Sequence, residues 1–383
     1  MAENASQAVS VAMRGGGYYS RANQSAKDVI DSATPLVLGA IRRLPDTNPT
    51  TPFTLTDMGC ADGGTSLDMM RQVFAAVRAR WPRRPICVVY TDTPRNDYNI
   101  LFHILYGLTS FATYLDEVED VYVQASATSF YKQILPTGTL HLGFSANAMH
   151  WLSRKPCDLT GHIHSVGASG AELAAFAEQG RRDWETILLH RAQELMSGGR
   201  LVLVNMCQDE AGRYLGNTGG VNMYDALNAL WRRFVAEGVI RGEEYVRLTL
   251  PHKYRTVEEC TQPLTDSASP VYRAGLRLEH WETRVVPCPF AAAFRQHGDA
   301  SRFAREYVPS FRSWTESTFL GALAPERPLE ERQEILERYY GAYEALVREN
   351  PADHRKDLVH IYMTIAKTRP ERLRNSEKRH QHY

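Results

Sequence analysis

The sequence predicts an α/β fold, a doubly wound parallel sheet with a helical cap laid over it. Three observations carry this. Strand-like and helix-like runs alternate through the first half, a glycine-rich turn follows the first strand, and helical patterns dominate the second half.

Taken in order, Ala26, Val29, Ile30, Ala33, Val37, Ala40 and Ile41 recur at helical spacing, with Pro35 expected to kink or divide the helix. Short runs rich in β-branched and aromatic residues at 53–58, 85–91, 121–125, 139–144 and 200–206 read as strands. Trp184, Ile187, Leu188, Ala192, Leu195 and Met196 keep helical spacing up to Gly198-Gly199, a C-cap signal before the fifth strand. This alternation predicts parallel strands joined by crossovers. Further on, 221–237 and 326–347 read as helices, and 276–286 as a strand element returning to the sheet. The expected division is a core of 1–207 plus 276–288, a helical substrate cap of 208–275 plus 289–368, and a flexible tail of 369–383 with five Lys/Arg against two Glu.

The chain has 383 residues, with 44 Lys+Arg balanced by 44 Asp+Glu. That balance argues against a nucleic-acid partner, which calls for an excess of cations. No apolar run is long enough for a membrane span. The opening segment lacks a basic n-region and an apolar h-region, which predicts a cytoplasmic protein. Six scattered cysteines without a CxxC pair read as free thiols. Cys157, His162 and His164 do not make a tetrahedral ligand set, so no metal is expected.

In the segment 56–66, Asp57 stands at the end of the first strand and Gly59 just after it, and the GxGxxG pyrophosphate cradle is missing. An NAD-linked oxidoreductase is thereby disfavoured, whereas Asp57 suits the cationic end of S-adenosylmethionine. Asp92 ends the second strand, where a carboxylate can accept both ribose hydroxyls. On position alone, both aspartates could equally be helix N-caps.

Several segments, in order, resemble the SABATH methyltransferases. Met13-Arg14-Gly15-Gly16-Gly17 and Tyr19-Ser20-Arg21-Ala22-Asn23 resemble that family's opening MxGGxGxxSYxxNS with two residues missing. Asp57-Met58-Gly59-Cys60 resembles DLGC, and the run from Thr91 to Asn99 resembles NDLPGNDFN. Ser129-Phe130-Tyr131, His150-Trp151-Leu152-Ser153 and Arg191-Ala192-Gln193-Glu194-Leu195 resemble SFY, HWLS and RAxEL. The resemblance implies a Rossmann-like, doubly wound methyltransferase core with an α-helical cap, S-adenosylmethionine as donor (S-adenosylhomocysteine as product), a small carboxylic acid as acceptor and a homodimer. It places Arg14, Tyr19, Asn23, Asp57, Gly59, Asp92, Thr93, Ser129, Phe130 and Ser145 at the donor. Gln24 stands where the family has a serine. Trp151 stands at the acceptor, and Lys27 replaces the family's acceptor-gripping glutamine if Asn23 anchors the alignment.

A lysine there favours a carboxylate over a purine nitrogen. An acid is already ionised at neutral pH and needs no base, so position and desolvation would supply the acceleration. His150 is the candidate base for a phenol or ring N–H acceptor. Asn147, His150, Trp231, Tyr254, Trp314 and Phe319 are the expected substrate-lining residues beside Lys27 and Trp151. An N- or phenol O-methyltransferase, or a non-catalytic ligand-binding relative, are the alternatives.

Overall fold

The protein is described by a computed structural model covering residues 15–46 and 50–368; Arg14 and the tail 369–383 lie outside the described residues. The strands are β1 (Phe53–Met58), β2 (Ile86–Thr91), β3 (Val121–Ser126), β4 (Leu140–Ala146), β5 (Leu195–Gln208), β6 (Arg255–Thr256), β7 (Leu276–Val286) and β8 (Leu358–Lys367). The first helices are α1 (Tyr18–Ala22), α2 (Gln24–Arg42), α3 (Leu67–Arg80), α4 (Tyr98–Leu105) and α5 (Gly170–Glu194). Then come α6 (Met223–Ala236), α7 (Gly242–Arg247), α8 (Val257–Thr265), α9 (Pro270–Arg273), α10 (Pro289–His297), α11 (Ala300–Ala322) and α12 (Leu329–Glu349).

All eight strands form one sheet in the order β3-β2-β1-β4-β5-β8-β7, with β6 added on β5. Along the path from β3 to β5 every pairing is parallel, as crossover helices require. β8 pairs antiparallel with β5 and with β7, so the sheet is mixed rather than wholly parallel. β8 corrects a second expectation, because 358–367 was assigned to the cap. Its run LVHIYMTIAK is almost continuously apolar and buried, as in a strand covered on both faces.

Two packed layers cover the sheet. Met206 and His360 lie opposite one another in the ladder and face α2, whose Val29, Ala33 and Val37 are buried. Leu201, Leu203 and Ile361 point the other way, onto Trp184, Ile187 and Leu188 of α5. α2 runs unbroken through Pro35. α5 ends at Glu194, earlier than its apolar spacing predicts. Leu195 already pairs with Leu140, and Gly198 takes φ +83° within the bulge that follows. The cap packs α6, α11 and α12 around Trp231, whose ring meets those of Phe319 and Tyr339 edge-on at 5.3 and 5.2 Å.

Candidate active site

At the carboxyl edge of β1 the chain turns through Gly59 (φ +78°) and Gly63 (φ +75°), backbone angles that favour glycine. A Cβ on Gly59 would lie 2.3 Å from the Cβ of Ala148, so the first turn and the loop after β4 touch through bare backbone. Asp57 is buried and accepts a 2.7 Å hydrogen bond from the Ser66 hydroxyl. Burial pushes its carboxyl up to about 6; Ser66 opposes that rise and nearby Asp92 adds to it. Asp92 accepts from the amides of Ala61 (2.9 Å) and Thr93 (2.7 Å), and burial raises its carboxyl as well. Neither aspartate caps a helix: Asp97 caps α4, through the amide of Ile100.

Other motif residues position these groups. The Tyr98 hydroxyl donates to the carbonyls of Asp92 (2.9 Å) and Ser126 (3.1 Å), tying the ends of β2 and β3 together. Asn96 donates to the carbonyl of Ala61 at 2.7 Å, and Asp62 accepts from the amide of Ser20 at 3.0 Å, joining α1 to the turn. Arg191 donates to the carbonyls of Phe130 (2.9 Å) and Lys132 (2.8 Å) while pairing with Glu194, both side chains fully buried. The RAxEL-like run therefore holds the loop of Ser129, Phe130 and Tyr131 in place. Asp183 likewise holds the loop of Trp151, accepting from the Ser153 amide at 2.8 Å and hydroxyl at 2.6 Å.

A cleft of about 540 Å³ runs over the carboxyl edge, lined by Tyr19, Gly59, Asp92, Thr93, Ser129 and Phe130 among others. A small recess beside it holds Asp57 and shares Tyr19, Gly59 and Asn147 with it. A second, narrow cavity of about 30 Å³ lies under the cap and shares Tyr19, Asn147 and Trp151 with the cleft. That is room for one or two waters, so an acceptor enters only as the lining side chains move. Asn147 stands at the junction in the left-handed region (φ +57°), a strained conformation for a residue with a Cβ. Its Oδ1 accepts a 2.6 Å bond from His360, and its Nδ2 is buried with no partner.

The second cavity brings together Asn23, Ala26, Asn147, His150 and Trp151 with Tyr254 and Trp314, which come from the cap half of the chain. Burial, with His252, His360 and Arg255 close by, holds His150 well below its ordinary 6.5. Lys27 is not there. Asn23, just before α2, and Ala26 and Ile30 on its inward face line these cavities, whereas Lys27 is turned outward between Asp31 and Asp68, each 2.7 Å from its ammonium. Counting from Tyr19 rather than Asn23 would have put Ala26 at the acceptor-gripping position. Ser145 lines neither cavity, because its hydroxyl donates to the Met58 carbonyl at 2.7 Å inside the sheet. Trp231 and Phe319 are fully buried in the cap's own core and also line neither cavity.

Lys356 is the site residue that sequence reasoning missed. It lies on the extended run before β8, lines the second cavity and is 1% exposed. Burial pushes its ammonium down to about 8. The one signal was period-two burial, with His354, Lys356 and Leu358 inward and Arg355 outward, which cannot be read before β8 is recognised.

Three carboxylates, Asp57, Asp62 and Asp92, crowd the turn and all act on the Tyr19 hydroxyl, raising it further beyond the effect of burial. Such a site repels a pyrophosphate and suits a cationic nucleoside, and the unpartnered Thr93 hydroxyl and Asn147 amide leave polar groups free for it. On this fold that donor is S-adenosylmethionine, and the protein is a methyltransferase dependent on it. More narrowly, the chain belongs to the SAM dependent carboxyl methyltransferase family, whose profile matches residues 7–365. It is 26% identical over 260 residues to loganic acid O-methyltransferase of Catharanthus roseus, covering 63% of this chain and 67% of that one. It is 25% identical over 239 residues to 3,7-dimethylxanthine N-methyltransferase 2 of Coffea arabica, covering 57% and 60%. The fold matches a solved loganic acid methyltransferase with SAH at TM-score 0.71 and 22% identity, over 93% of this chain and 99% of that one. No helix among the described residues is long and apolar enough to cross a membrane.

Proposed function

We propose that the protein forms the methyl ester of a small carboxylic acid. The observation that carries this reading is that the imidazoles beside the junction of cavity and cleft are poor bases, while Lys356, the cavity's amine, does not line the cleft. His150 is held well below its ordinary range by burial, as are His252 and His360 beside it. A phenol or ring N–H would have to give up its proton to such a group, whereas a carboxylic acid arrives already ionised.

When bound, S-adenosylmethionine supplies an electrophilic methyl group on a sulfonium sulfur, which keeps the electron pair of the breaking bond and leaves as S-adenosylhomocysteine. In this reading Asp57 takes the donor's ammonium and Asp92 its ribose hydroxyls, with Ser129 and Phe130 at the adenine. Asn23, in the cavity lining just before α2, adds a polar contact near Tyr19. The Asn147 amide and the Trp151 indole hold the acceptor carboxylate at the junction, one oxygen turned toward the cleft. Trp314 and Tyr254 wall the cavity and exclude water, so that orientation rather than proton transfer supplies the acceleration, of order 7 to 11 kcal/mol.

Incubation with methyl-labelled donor and a panel of aliphatic and aromatic acids, phenols and xanthines tests the reading. Label released by mild base, as from an ester, is the expected result; label on a ring nitrogen or phenol oxygen alone would overturn it.

A further inference from the structure

The second cavity has a mixed lining. Its polar mouth is Asn147 and Trp151, shared with the donor cleft; Met206, Leu215 and Leu358 line the cavity without reaching the cleft. Lys356 lines the cavity without reaching the cleft, and among the described residues its ammonium meets no carboxylate; the ring of Phe290 lies 5.9 Å away.

Lys356 lies four residues before His360, which touches Asn147 at the mouth, and Leu358 between them is also in the lining. Lys356 is buried in the cavity and is not part of the cleft, so the cavity joins a polar mouth, apolar side chains and a cation in one lining.

We propose that Lys356 binds a second anionic group on the acceptor, and that the preferred substrates are acids carrying two carboxylates separated by an apolar spacer, one of which is methylated. This rests on the ester-forming reading above and narrows its substrate class. A buried cation with no counter-ion among the described residues is costly to keep, and an anionic substrate end would supply a partner. Methylation of one carboxylate leaves the other ionised and paired, so the product is a monoester.

The test uses the full chain and matched pairs of straight-chain acids from four to ten carbons, such as hexanoate against adipate and octanoate against suberate. For the best-fitting length, the dicarboxylate should show a kcat/KM at least tenfold above its partner. Lys356→Met should raise KM for the dicarboxylate at least tenfold more than it raises KM for the monocarboxylate, and Lys356→Arg should restore part of the preference. Equal losses on both acids, or no preference in the wild type, would overturn the proposal. A thermal melt of Lys356→Met at or above the wild type establishes that the variant is folded. Calorimetry of the same acids on the protein saturated with S-adenosylhomocysteine separates the two readings. Lys356-dependent dicarboxylate binding without ester formation would uphold Lys356 as the anion-binding group and sink the ester reading; binding that ignores Lys356 sinks this inference alone.

Discussion

At Asp57 the fold keeps a carboxyl group out of water, and its carboxyl rises from 3.8 to about 6. Between those values the folded state holds a proton that the unfolded chain has lost, so stability falls as pH rises through that window. Above pH 6 the full cost of about 3 kcal/mol remains. The same ionisation is what a cationic donor needs. Affinity for S-adenosylhomocysteine, which keeps the ammonium, should therefore fall as pH is lowered through about 6. Asp57→Asn should bind it at least tenfold more weakly at pH 7 while melting no lower than the wild type. Calorimetry across pH 5 to 8 with a thermal melt checks both, and a variant that binds normally would remove Asp57 from the donor site. Lys27 carries the opposite lesson. Its side chain could be read as an acceptor cation until the face of α2 was known. Asp31, one turn on, and Asp68 on α3 then account for its charge.

Among the elements, α5 holds two loops of the site at once. Its Arg191 and Glu194 are both inaccessible and fasten the Phe130 loop, while Asp183 fastens the Trp151 loop. Removing one member of a buried pair leaves an uncompensated charge, typically at a cost of 3 to 5 kcal/mol. Arg191→Met should destabilise the protein by about that amount in urea melts and weaken donor binding. The double variant Arg191→Met/Glu194→Leu should recover part of the stability, because no charge is stranded. A double variant less stable than the single one would show that the lost backbone contacts dominate instead. The motif RAxEL was visible in sequence, but its purpose was not. Its hydrogen-bond partners lie about sixty residues away, and local spacing says nothing of them.

Across the whole molecule, a net charge of zero conceals separated charges. Three carboxylates crowd the turn after β1, and under the cap stands the Lys356 ammonium, which meets no carboxylate among the described residues. On the proposed reading, S-adenosylhomocysteine bound in the cleft should stabilise the entire chain, since the cleft joins the ends of β1, β2 and β4 and the opening helix. At a hundredfold excess of S-adenosylhomocysteine over its Kd the gain is about 2.7 kcal/mol, or about 3 °C in Tm for a chain of this length. A thermal shift series checks this, and the same shift produced by NAD would contradict the donor assignment.

The residue order alone determined the alternation of strands and helices, the glycine turn, the two aspartates at strand ends and the motifs that mark the family, because each is a local pattern of spacing and residue type. Only the tertiary structure decided that β8 belongs to the sheet and enters it antiparallel, that α2 offers Ala26 and not Lys27 to the cavity, and that Trp231 and Phe319 serve the cap's core. It alone placed Lys356 under the cap. Which side of an element faces a ligand depends on what packs against its other side, and those partners are far away in sequence.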